Sequence, residues 1–93
     1  MFLGRYDFAG DPDELLGAYQ RMMTALPPEM LLWHACVRTE TGISVLDACP
    51  TREVFREFST GDAFGQVRAA AGLPEPLVTE LGEVVRTAGT GLG

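Results

Sequence analysis

The sequence predicts an α+β fold with element order βαββαβ, and three observations carry that prediction. Strand-like runs occur at four places, two further segments carry apolar residues at helical spacing, and each helical segment opens at a cap residue and closes at a breaker. The 93 residues are read as one domain over 1–88 followed by a short Gly-rich tail, 89–93. A domain of this size buries roughly 60–68% of the surface its unfolded chain exposes, so its core is thin.

The first strand is expected from Phe2 to Phe8, where Phe2, Gly4, Tyr6 and Phe8 share one face and Leu3, Arg5 and Asp7 the other. Asp11 then stands at an N-cap position, with Pro12 first in the helix and Glu14 three residues beyond the cap, the pattern of a capping box. Leu15, Leu16, Tyr19, Met22, Met23 and Leu26 make one helical stripe, with Gln20 and Arg21 facing away, and Pro27 and Pro28 end the helix. The second strand is expected from Leu31 to Thr39, with Leu32, His34 and Cys36 opposite Trp33, Ala35 and Val37. Thr41 and Gly42 turn the chain into a third strand, Ile43 to Ala48. Pro50 closes that strand, Thr51 caps a second helix with Val54, Phe55 and Phe58 on one stripe, and Gly61 breaks or bends it before Phe64 and Val67. Gly72 is placed as a C-terminal cap, and Leu77 to Arg86 has enough Val, Leu and Thr for a fourth strand despite Gly82.

Composition removes several function classes. Thirteen acidic against seven basic residues give a net charge of −6 with no Arg-rich face, so nucleic acid is not an expected partner. With 46% hydrophobic and 22% charged residues the chain is too apolar for disorder, and it contains no apolar run long enough to span a membrane. The N-terminus enters a strand pattern directly, without a signal-peptide arrangement, and a cytoplasmic location is expected. Cys36 and Cys49 sit inside apolar strand patterns and are expected as thiols. The chain has no Asn and no Lys, which excludes any mechanism that needs an amide from Asn or a Schiff-base amine.

Two interleaved right-handed β-α-β units put both helices on one face of a four-stranded antiparallel sheet. The other face is left bare, and a second copy of the chain is expected to cover it, giving a homodimer.

At this point the residues resemble the dimeric α+β barrel (ferredoxin-like) superfamily, near the antibiotic biosynthesis monooxygenase-like group. The likeness rests on Leu46 to Phe64: a strand running into a corner, Thr51-Arg52-Glu53 opening a helix with Phe55 and Phe58, a Ser-Thr-Gly-Asp break, then Phe64. What it implies is a face-to-face pair of sheets and, in each protomer, a sheet–helix pocket for a flat hydrophobic or aromatic molecule. Cofactor-independent oxygenases, cyclases, isomerases and haem-degrading enzymes are among the members. The oxygenases and haem degraders resemble one another in using an Asn, which this chain lacks, and the corner that often carries Trp is Cys49-Pro50 here. Cyclase- or isomerase-like proton transfer is therefore expected ahead of oxygenation, with no cofactor.

The residues that can carry such chemistry are few. His34 is the only histidine and the natural base. If the loop spans Thr39 to Gly42, His34 falls opposite Asp47, where a carboxylate would orient the ring; a loop two residues shorter sets it opposite Cys49, which allows a Cys-His pair. The plain alternative is a packing histidine, half-buried at the dimer interface. Tyr6 or Tyr19 can serve as acid or ligand donor, or as core-edge residues. His34, Asp47 and Tyr6 are thus the catalytic candidates, and Tyr19, Met22, Trp33, Cys49, Phe55 and Phe58 the substrate-binding ones. One histidine and no cluster of carboxylates fall short of a metal site. Arg5 is expected to pair with Asp7 or Glu83. A non-catalytic dimer that binds a ligand or partner fits the same residues.

Overall fold

The computed structural model of the chain describes residues 1–26 and 31–89. Its elements are β1 (Phe2–Ala9), α1 (Pro12–Ala25), β2 (Trp33–Arg38), β3 (Gly42–Cys49), α2 (Arg52–Thr60), α3 (Asp62–Ala71) and β4 (Leu77–Glu83). The strands form one antiparallel sheet in the order β2-β3-β1-β4. All three helices lie on one face of it, the ferredoxin-like βαββαβ arrangement, and the sheet is open, with β2 and β4 at its edges.

The caps form where the sequence places them. Asp11 accepts from the Glu14 amide at 3.0 Å with Pro12 at the start of α1, and Thr51 Oγ1 accepts from the Val54 amide at 3.2 Å. Gly61 divides the second helical segment into two: its N–H donates to Phe58 O, ending α2, and α3 begins at the next residue. Gly72 takes a left-handed φ of 91° after α3 and returns its N–H to Ala69 O at 3.1 Å, a conformation that favours glycine. Pro27 and Pro28, expected to end the first helix, and residues 90–93 of the expected tail lie outside the described residues.

Two strands are shorter than their sequence patterns. β2 starts at Trp33 rather than Leu31 and stops at Arg38, because the Thr39 amide turns back to Gly42 O at 2.9 Å and closes the hairpin. β4 stops at Glu83 rather than Arg86, after a register shift opposite Leu3 and Gly4 that leaves Leu81 without a cross-strand partner. Glu83 receives the chain's terminal amine at 2.9 Å, which leaves Arg5 to pair with Asp7.

Phe2, Gly4, Tyr6 and Phe8 of β1 face the helices, as their alternation predicts. Over them lies Phe55 of α2, fully buried, with ring centroids 5.8 Å from Phe2 and 5.5 Å from Tyr6. A Cβ on Gly4 would occupy the space of the Phe55 ring, so a bare backbone at that position is what lets α2 approach the sheet. Phe64 of α3 continues the cluster at 5.4 Å from Tyr6 and 5.0 Å from Phe58. Burial of each such ring contributes about 1.5–3 kcal/mol.

The opposite face carries Leu3, Arg5, Asp7, Trp33, Val37, Leu46 and Leu77, half-buried to exposed and uncovered by any described element.

Candidate functional site

The hairpin register decides the site. His34 of β2 pairs directly with Asp47 of β3, as the longer of the two loop alternatives predicts, and both side chains point to the helix face. His34 Nδ1 lies 2.5 Å from Asp47 Oδ1. Among the described residues Asp47 is the one buried charged-type side chain, 4% exposed, and His34 is its hydrogen-bond partner. When the Nδ1–H donates to this oxygen, the neutral ring carries its lone pair on Nε2. That nitrogen is taken by the hydroxyl of Tyr19, whose ring is inclined only 3° to the imidazole plane. Asp47, His34 and Tyr19 form a continuous chain from sheet to helix.

Beside this chain is a cavity of about 30 Å³ between the sheet and the helices, bordered by His34, Asp47 and Tyr6 and otherwise by apolar groups that include Met22, Met23, Phe58 and Phe64. Such a space holds a water-sized group, well short of the ~300 Å³ of an ordinary ligand pocket. A larger molecule would enter by moving the unbranched Met side chains.

Tyr6 is 2% exposed, and among the described residues its hydroxyl has no hydrogen-bond partner. Burial pushes its pKa up from the ordinary 10, and the nearby Asp47 and Cys49 add to the shift, so the group stays a phenol. Tyr19 is pushed up to about 12, first by burial and then by Cys36 and Asp47. Burial also raises both thiols, with Asp47 adding to the effect at Cys49. Neither Cys36 nor Cys49 is in a disulfide, and a raised pKa is the reverse of what a nucleophilic cysteine needs. Asp47 rather than Cys49 faces His34, and both ring nitrogens are engaged by other groups, so no Cys-His pair forms.

Of the residues the sequence singles out, Tyr6, His34, Asp47, Met22, Cys49 and Phe58 border one cavity. Tyr19 stands just outside it, behind His34. Phe55 is outside as well, spent in the core over Gly4. Trp33 is on the other side of the sheet, because it neighbours His34 on a strand and alternation sends the two to opposite faces. Sequence reasoning missed Phe8, Leu26, Leu31, Val45 and Val54 as cavity walls. Val45 and Phe8 were nonetheless readable, since they share strand faces with Asp47 and Tyr6.

No family model matches this chain, and no curated protein does. Among the described residues no group of three His, Cys, Asp or Glu side chains could hold a metal ion, and no helix is long and apolar enough to cross a membrane.

Proposed function

We propose that the chain is a small-molecule enzyme of the cofactor-independent, proton-transfer kind, working as a homodimer on a hydrophobic compound held between sheet and helices. The observation that supports this most is the Asp47–His34 pair at the wall of a largely apolar cavity, with Tyr19 behind it on Nε2. Asp47 fixes the tautomer and orientation of the imidazole and would stabilise the imidazolium formed when His34 accepts a proton. Tyr19 holds Nε2 from outside the cavity, so its hydroxyl swings off that nitrogen before His34 takes the substrate's proton there. A phenol pKa of about 12 keeps Tyr19 protonated, so it does not compete with His34 as the base.

The test is solvent-deuterium incorporation into a broad panel of enolisable carbonyl compounds, followed by proton NMR with wild type, His34→Ala and Tyr19→Phe. Exchange that His34→Ala abolishes and Tyr19→Phe keeps or speeds, in proteins that remain folded, supports His34 as the base; exchange that His34→Ala leaves intact overturns it. A second reading, a non-catalytic binding dimer, is favoured by the engagement of both His34 nitrogens within the protein itself. It gains ground if the whole panel stays unexchanged and His34→Gln binds a ligand as wild type does.

The dimer is supported by the uncovered sheet face, where Leu46 and Trp33 are half-buried and Val37 and Leu77 are 46% and 70% exposed. Light scattering at micromolar concentration should give twice the chain mass, and a monomer mass would rule the dimer out.

A further inference from the structure

We infer that the polar end of the cavity is a hydroxyl-binding site, suited to an uncharged apolar molecule whose hydroxyl group accepts from Tyr6 and donates to Asp47. The inference rests on the small-molecule cavity proposed above and does not require turnover. Tyr6 pairs with Val45, and Asp47 is two residues farther along β3 on the same face, so the two side chains are diagonal neighbours. The phenol is buried with an unpartnered hydroxyl among the described residues, and the carboxylate commits Oδ1 to His34. One donor and one acceptor thus border the same small space.

Chemistry narrows what can satisfy both. A ketone would accept from Tyr6 but set its remaining lone pair against the Asp47 carboxylate. A carboxylate ligand would add a second negative charge, and among the described residues no Arg side chain borders the cavity to balance it. An alcohol or enol hydroxyl accepts and donates through one oxygen and has no net charge. The apolar remainder is received by Met22, Met23 and Phe58, with the thioethers giving way.

Three probes of equal ring size separate these cases on the full chain: cyclopentanol, cyclopentanone and cyclopentanecarboxylate, titrated while the methyl resonances of Met22 and Met23 and the Tyr6 amide are followed by NMR. The alcohol should bind about tenfold or more tighter than the ketone, with the carboxylate weakest. Tyr6→Phe, which keeps the ring that packs on Phe55 and Phe64, should bring alcohol and ketone to equal affinity. A ketone or carboxylate that binds wild type as tightly as the alcohol overturns hydroxyl recognition and leaves the cavity standing. So does a preference that survives Tyr6→Phe, the result expected if a trapped water serves the phenol permanently. If none of the probes moves the Met22 or Met23 methyls, the cavity reading falls together with this one.

Discussion

The two faces of the sheet handle polar groups in opposite ways. On the open face, where water is available to any group that lacks a partner, Asp7 is fully engaged: it accepts from Arg5 Nε at 2.9 Å and from Ser44 Oγ at 2.5 Å. On the helix face, where water is excluded, the Tyr6 hydroxyl has no partner among the described residues. Burial makes an unsatisfied hydroxyl cost about 1–3 kcal/mol, so the expected arrangement would be the reverse. This fold tolerates an energetic deficit beside the cavity and the Asp47–His34–Tyr19 chain, and not on the open face.

Substitutions on the helix face test this difference. Phe55→Ala empties the centre of the helix face and should lose about 3–5 kcal/mol in chemical denaturation; a loss under about 1 kcal/mol would mean that the core does not depend on the α2–sheet contact. Asp47→Asn removes the carboxylate that holds His34 and should cost about 1.5–3 kcal/mol, the usual worth of a hydrogen bond to a charged group. Equal stability of this variant and wild type would reduce the pair to a geometric coincidence. Tyr6→Phe should act in the opposite direction and gain about 1–3 kcal/mol, since it deletes the unsatisfied hydroxyl and keeps the ring. A loss of stability instead would show that the hydroxyl has a partner in solution.

The smallest effect is alkaline. Tyr19 has a folded pKa of about 12 against an ordinary value of 10, so the unfolded chain releases this proton first as pH rises. Its contribution to stability is complete below pH 10 and is lost as pH climbs through about 12. Spectrophotometric titration of the phenols should accordingly show neither Tyr6 nor Tyr19 ionised at pH 10 in the folded protein. A full phenolate signal at that pH would place one ring in open solvent.

Much of the fold was legible because its signals are local. Asp11, Thr51, Gly61 and Gly72 punctuate the helices through hydrogen bonds a few residues long, and the alternation of Phe2, Tyr6 and Phe8 needs no knowledge of the rest of the chain. The His34–Asp47 pair was legible as one of two registers, since loop length and strand period together leave few choices. Tyr19 as the partner of Nε2 was not, because its place against β2 depends on how α1 lies across the sheet, which spacing along the sequence does not encode. The unpartnered Tyr6 hydroxyl was hidden for a related reason: an aromatic on a core face reads as packing, and only the surrounding side chains reveal that its polar end was left over.

Gly42 begins β3 with a φ of 157°, and a Cβ there would run into the carbonyl oxygen of Phe8. This residue pins the hairpin against the end of β1 and thereby sets the count of residues from the turn to His34. A single inserted or deleted codon between Arg38 and Gly42 that shifted β2 by one position would turn the strand over, sending His34 outward and Trp33 inward. One genetic step of the smallest size would exchange the histidine side of this edge strand for its tryptophan side, so the length of this hairpin decides whether the His34–Asp47 contact exists at all.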